Sequence, residues 1–276
     1  MELWFTEKQT PYLGLSCAVK GVLYSCRTAF QELAILETSQ FGRMLVLDGM
    51  VQTTIFDEYI YHEMIAHVPL VTHPRPRQVL VIGGGDGGTV REVVKHQRVE
   101  KVTLVEIDRE VVEASRRFLP ELSSALDSPK VELICTDGLQ YVKNKHAVYD
   151  VIIVDSTEPV GAAVGLFKKE FYADVYTALR DDGILVAQTE SPFYNQQLLK
   201  SAYHNINSLF PRVHLYLANI PTYPSGLWSF TIGSKKYDPL NPLPPEERLT
   251  VNRYYTLGVH RASFSLPPFI SRLLEA

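Results

Sequence analysis

Apolar and polar positions follow two rhythms along this chain. Through residues 1–55 they change places in short runs, Val19 to Thr28, Glu32 to Thr38 and Arg43 to Leu47, rich in Val, Leu, Tyr and Thr. Lys20-Gly21, Phe41-Gly42 and Asp48-Gly49 punctuate these runs as turns. Asp48-Gly49 lies between Met44-Leu45-Val46-Leu47 and Met50-Val51-Gln52-Thr53, which makes it a hairpin signal. A small antiparallel sheet is predicted. From Asp57 to Val68 the spacing turns helical, with Tyr59, Met64, Ile65 and Val68 available for a buried stripe. Pro69, Pro74 and Pro76 are expected to end that helix.

From Gln78 the second rhythm begins. Near-continuous apolar runs at 78–82, 101–105, 131–135, 150–154 and 183–188 alternate with helical spacing at 88–96, 109–118, 137–143, 168–180 and 195–209. Strands with no polar face suit a parallel sheet covered on both sides. Val213 to Asn219 and Leu227 to Ser234 flank Ile220-Pro221-Thr222-Tyr223-Pro224-Ser225-Gly226 and suggest a closing antiparallel pair. Asp238 to Glu247 is a Pro-rich connector, and Tyr254 to Leu274 a tail with a short helix. The expected fold is α/β, a mostly parallel Rossmann-type sheet with an antiparallel C-terminal strand. Residues 1–55 form a small β domain ahead of it, and residues 56–276 the Rossmann-like domain with its tail.

Bulk properties narrow the partners. A net charge of −4 leaves no basic footprint for nucleic acid. No apolar run reaches the ~18 residues of a membrane span. The opening Met1-Glu2-Leu3-Trp4-Phe5-Thr6-Glu7-Lys8 lacks the basic and apolar regions of a signal peptide. Cys17, Cys26 and Cys135 form no CxxC and read as free thiols in a reducing cytoplasm. No metal site is expected.

Chemistry gathers at the strand ends. Gly83-Gly84-Gly85-Asp86-Gly87-Gly88 follows the first central strand, Val79-Leu80-Val81-Ile82. Glycines there let backbone approach a ligand closely. Asp86 opposes a phosphate, because like charges a few Å apart in a dry site cost several kcal/mol. The loop therefore suits a ligand with positive charge. Glu106, 21 residues beyond Gly85, ends the second strand and can accept both hydroxyls of a ribose. Asp137-Gly138 ends the third, where Asp137 can accept from an adenine amine. Together these three point to an adenosine-containing ligand. Asp155 and Glu158 flank the turn after the fourth strand. As a pair they fit a helix cap and a solvated acid. With Asp86 on the same rim, they also fit a cleft that demands a cation such as a diamine.

These stretches resemble the spermidine synthase family, polyamine aminopropyltransferases on a class I methyltransferase-like fold. The resemblance rests on Leu45-Val46-Leu47-Asp48-Gly49, Asp57-Glu58-Tyr59-Ile60-Tyr61-His62-Glu63-Met64, the glycine loop with Arg91-Glu92-Val93, and Glu106-Ile107-Asp108. Asp137-Gly138, Asp155 to Gly161, the 220–226 loop and Val259-His260-Arg261-Ala262-Ser263-Phe264 extend it over nearly the whole chain. It implies transfer of a 3-aminopropyl group from decarboxylated S-adenosylmethionine to putrescine, giving spermidine and 5′-methylthioadenosine, with no resident cofactor. By that resemblance Asp86 and Asp155 hold the aminopropyl ammonium, Glu106 the ribose, and Asp137-Gly138 the adenine. Gln31 and Leu47 lie beside the donor. His62, Glu158, Gln188 and Tyr223 bind the acceptor. Asp155 is the implied base, assisted by Tyr61 and Tyr223. A homodimer or homotetramer is implied as well.

Two positions depart from the family pattern: Ala162 stands where a proline is common, and Glu158 where a shorter Asp is found. The first is expected to loosen the loop 162–166, the second to alter the preferred diamine length. Competing functions are a methyltransferase using intact S-adenosylmethionine and a polyamine- or nucleoside-binding protein without catalysis. The former would need a partner for the donor carboxylate where Asp86 stands. A nicotinamide dehydrogenase is disfavoured because Asp86 would oppose its pyrophosphate.

Overall fold

The computed structural model describes residues 2–157, 161–244 and 252–275. The chain opens with an antiparallel meander of β1 (Leu3–Thr10), β2 (Leu13–Arg27), β3 (Glu32–Thr38), β4 (Arg43–Leu47) and β5 (Met50–Thr54), paired in chain order. Asp48 and Gly49 both take positive φ, 48° and 81°, and turn β4 into β5 as the sequence predicts. The pattern places no strand before Val19, yet β1 and the front of β2 form the outer hairpin of the sheet. Leu3, Trp4 and Leu13 are exposed there while Cys17 is buried, so no clean apolar face exists for periodicity to register.

The remaining elements follow as α1 (Glu58–Thr72), β6 (Gln78–Gly83), α2 (Gly88–Val94), β7 (Lys101–Glu106), α3 (Arg109–Phe118), α4 (Pro120–Ser123), β8 (Val131–Cys135), α5 (Gly138–Lys143), β9 (Tyr149–Asp155), α6 (Lys169–Ala178), β10 (Leu179–Gln188), α7 (Gln196–Asn207), β11 (Arg212–Asn219), β12 (Leu227–Ser234), α8 (Leu257–Ser263) and α9 (Pro268–Glu275). The seven strands lie in the order β11-β12-β10-β9-β6-β7-β8. The five from β10 to β8 run parallel, and β12 returns antiparallel against β10. Alternate residues of each central strand feed opposite cores. Val79, Val81, Leu104 and Ile153 pack under α1 and α2; Leu80, Ile82, Val105 and Ile152 join the core that holds Phe171 and Tyr172 of α6.

One boundary corrects the sequence reading. Pro69 does not end α1; it sits inside the helix, which runs on to Thr72. The proline removes one N–H from the ladder, yet Leu70 and Val71 beyond it are buried. The Thr72 hydroxyl donates to the Val68 carbonyl at 2.7 Å, and the His73 N–H to that of Pro69, so the last turn closes. Among the described residues, no helix is long and apolar enough to cross a membrane.

The two sheets meet through α3. Leu33, Ile35, Leu45 and Leu47 of the first sheet pack on Val111 and Ala114. That contact brings the first sheet over the carboxyl ends of β6 and β7.

Candidate active site

In the large sheet the chain leaves β6 for β7 and β8 on one side, then returns to build β9 on the other. The crevice at that reversal, beyond the carboxyl ends of β6 and β9, is where open α/β sheets bind ligands. A pocket occupies it, and Gly83 and Asp155 stand opposite each other in the two strands at its floor. Its walls come from both sheets: Phe30, Gln31, Leu47 and Gln52 from the first, and the glycine loop, Glu106, Asp137, Gln188, Tyr223 and Trp228 from the second.

The acids are held from below. The Asp155 carboxylate is fixed at both oxygens, accepting from the Tyr61 hydroxyl at 2.7 Å and from the Thr89 hydroxyl at 2.6 Å. Gly84, at φ 71°, leaves room for it, since a Cβ there would overlap the carboxylate. Burial and the neighbouring Asp86 push the Asp155 carboxyl above its usual range. Asp86 accepts from the Gly88 N–H at 2.6 Å and faces His62 Nε2 at 3.5 Å. Although its burial opposes ionisation, the His62 charge keeps Asp86 below the usual range.

Glu106 accepts from the backbone N–H groups of Gly85 at 3.1 Å and Asp108 at 2.9 Å. Burial outweighs those bonds and lifts it to about 7. Asp137 caps α5 by accepting from the Leu139 N–H at 2.8 Å, and it lines the pocket beside Gly138. Gln31 reaches across from the first sheet and donates to Asp108 at 2.9 Å. Leu47 is buried in the same wall.

The residues that the resemblance assigns to the acceptor are more committed than the sequence implies. Tyr223 donates its hydroxyl proton to the Gln52 carbonyl at 2.5 Å, and Tyr61 gives its own to Asp155. The Gln188 amide donates to the Ser156 carbonyl at 3.0 Å and steadies the turn after β9. His62 is buried against Glu58, Nδ1 to Oε2 at 2.6 Å, besides its contact with Asp86. Glu158 lies outside the described residues, as does the side chain of Ala162. Ala163 and Leu166, in the 3₁₀ segment Gly161–Phe167, line the pocket.

Sequence reasoning missed several of these parts. Trp228, the second residue of β12, forms the wall beside Tyr223, their rings 4.9 Å apart. Its position depends on β12 lying next to β10, which no local pattern reveals. Thr89 could have been found as the first hydroxyl after the glycine loop. Asp57 binds the 220–226 loop by accepting from the Thr222 N–H at 2.9 Å and hydroxyl at 2.7 Å. Glu63 accepts from three consecutive N–H groups, Arg253, Tyr254 and Tyr255, and so fastens the tail to α1.

Sheet order and pocket together define a Rossmann-like domain with its ligand crevice at the strand reversal, roofed by an antiparallel sheet. Residues 58–243 match the family model described as the spermine/spermidine synthase domain, and residues 3–54 that of the spermidine synthase tetramerisation domain. A polyamine aminopropyltransferase of Caldicellulosiruptor saccharolyticus is 58% identical over 275 residues, 100% of this chain and 99% of the relative. One of Desulforudis audaxviator is 55% identical over 98% of each chain. A spermidine synthase crystallised with the transition state analogue AdoDATO shares 44% identity at a TM-score of 0.95, over 99% of this chain and 95% of that one. The Thermotoga maritima spermidine synthase gives 43% and 0.93, over 99% and 94%. The chain belongs to the spermine/spermidine synthase family.

Proposed function

We propose that this protein is a polyamine aminopropyltransferase, a spermidine synthase that moves the 3-aminopropyl group of decarboxylated S-adenosylmethionine to putrescine. The observation that carries the reading is the buried pair Asp86 and Asp155 beside an adenosine-type pocket. Asp86 and Asp155 present carboxylates there, and the hydroxyl protons of Tyr61 and Tyr223 are given to Asp155 and to the Gln52 carbonyl. Such a wall favours ammonium and amine N–H donors. An intact donor would bring a carboxylate against Asp86, which disfavours methyl transfer from S-adenosylmethionine.

In this reading Glu106 accepts from the ribose hydroxyls and Asp137-Gly138 receives the adenine, while Gln31 and Leu47 close the donor side. Asp86, with Asp155, holds the aminopropyl ammonium. The attacking amine must be neutral, although a free alkylamine has a pKa near 10. Asp155 takes its proton, while the Tyr61 and Tyr223 oxygens accept from the remaining N–H bonds and leave the lone pair aimed at carbon. A nitrogen–carbon bond forms as the carbon–sulfur bond breaks. The sulfonium leaves as the neutral thioether of 5′-methylthioadenosine, so the donor supplies its own leaving group and no resident cofactor is required. His62, Gln188 and Glu158 belong to the acceptor side.

The protein acts as a homodimer or homotetramer. The match of residues 3–54 to a tetramerisation domain supports this, as do Trp4 and Val22, exposed by 59% and 61% on that sheet. Three free cysteines suit the cytoplasm.

The test is release of 5′-methylthioadenosine from decarboxylated donor and putrescine by the wild type and Asp155→Asn. Loss of the base should lower kcat by about 10²–10⁴, while 5′-methylthioadenosine binds within a few-fold of wild type. Near-wild-type turnover at saturating putrescine would remove Asp155 as the base. Methyl transfer from intact S-adenosylmethionine would overturn the reaction itself.

A further inference from the structure

From His62 at the pocket, a chain of charged side chains runs back through Glu58 and Arg91 to Glu92. His62 is 2% exposed, with a carboxylate against each ring nitrogen: Glu58 at Nδ1 and Asp86 at Nε2. Glu58, one helical turn earlier on α1, is gripped in turn by Arg91 of α2, whose guanidinium donates to Oε1 at 3.0 Å and Oε2 at 2.8 Å. Arg91 is anchored by Glu92 at 2.8 Å and by the Glu121 carbonyl at 3.0 Å. The ring also fits tightly against the loop, since a Cβ on Gly88 would overlap it.

An imidazole set between two carboxylates, Nδ1 hydrogen-bonded to Glu58 and Nε2 facing Asp86 at 3.5 Å, is favoured with a proton on each nitrogen and a positive charge. Burial would strip that charge, but Asp86 and Glu58 outweigh it and lift the ring to about 10. The charges facing the ring are Glu58 from its own helix, Asp86 from the loop, Arg91 from α2 and, through the pocket, Asp155 from β9. Of these, Arg91 alone opposes the cation, and Glu58 stands between them. Were Glu58 neutral, Arg91 would repel the ring. Two buried carboxylates that crowd one another, with no cation beside them, retain a proton between them.

We propose that Glu58, gripped by Arg91, is a positioning residue for aminopropyl transfer: it fixes His62 as a cation against Asp86, so that Asp86 and Asp155 meet the substrates as two carboxylates. This role rests on the preceding assignment of Asp86 to the ammonium and Asp155 to the proton. A proton already shared by that pair would block both tasks. His62 neutralises Asp86 from behind while the aminopropyl ammonium approaches from the front.

The experiment follows the His62 ring nitrogens by NMR, in protein labelled with ¹⁵N-histidine, from pH 6 to 9. It pairs this with the pH dependence of kcat for spermidine formation. Both nitrogens of wild-type His62 stay protonated across that range. In Glu58→Gln the ring loses a proton within it, and the acid limb of kcat moves up by about one pH unit or more. Activity in the variant then returns towards wild type on the alkaline side. Arg91→Lys keeps the charge but loses the fork, and it shifts both readouts in the same direction by less. This variant serves if Glu58→Gln does not fold. The proposal is overturned if His62 in the variant stays protonated throughout, or if kcat falls equally at every pH with the limb unmoved. Failure of the reaction assignment reads differently, as a wild type that forms no spermidine at any pH.

Discussion

Glu106 links burial to the ligand-binding role proposed for it. Its carboxyl sits at the end of β7, bonded by two N–H groups yet lifted by burial to about 7. In the proposed role, ribose hydroxyls donate to the ionised form, so binding would release whatever proton the free site holds. The affinity for 5′-methylthioadenosine should therefore fall as pH drops below about 7, by up to tenfold per unit, the signature of one proton. Glu106→Gln should weaken binding by roughly 10–100-fold, in line with ~1.5–3 kcal/mol for a hydrogen bond to a charged group. It should also flatten that pH dependence. Calorimetric titration from pH 5.5 to 8.5 checks both. At this scale the sequence was informative for a definite reason. Glu106, Asp137 and Asp155 each end an apolar run, and parallel strands deliver their ends to one crevice. The partners of these acids were less visible. The four-residue spacing of Glu58 and His62 could be read on a helix, but the reach of His62 to Asp86 depends on α1 packing beneath the loop.

The first two turns of α1 act as the frame of the pocket. Asp57 binds the 220–226 loop, Glu58 holds Arg91 of α2, His62 faces Asp86 of the glycine loop, Tyr61 binds the end of β9, and Glu63 the tail. Asp57 is 1% exposed and also accepts from the Thr54 hydroxyl at 2.6 Å, so it joins the end of β5 to Thr222, next to Tyr223. Asp57→Ala would leave the Thr222 N–H and hydroxyl buried without their acceptor, a cost of roughly 2–4 kcal/mol. We expect a matching drop in denaturation free energy. The putrescine KM should rise several-fold more than the donor KM, since Tyr223 loses its support. Steady-state kinetics with each substrate varied separately check the second half. Element existence was legible wherever one face or both were apolar. The end of α1 was not, because packing of Leu70 and Val71 outweighs the bond lost at Pro69.

Across the whole molecule, the pocket exists because two sheets close on each other. Asp108 is the joint: it caps α3 by accepting from the Glu110 N–H at 3.1 Å, and accepts from Thr28 at 2.7 Å and Gln31 at 2.9 Å across the gap. Removing it in Asp108→Ala should cost about 1–2 kcal/mol as a cap. The affinity for 5′-methylthioadenosine should fall as well, because Gln31 loses its anchor. Thermal unfolding with and without 5′-methylthioadenosine separates the two effects. The crossing of Gln31 to Asp108 joins residues 77 positions apart, and only the completed fold brings them together. The glycine loop gains a further meaning at this scale. Its missing side chains leave space that the protein itself fills, with the Asp155 carboxylate against Gly84 and the His62 ring against Gly88. Each glycine and its large neighbour thus form one unit of inheritance. Neither can drift alone, so a new ligand preference must evolve through paired changes, and single-site libraries over this loop would search a landscape already closed by its own contacts.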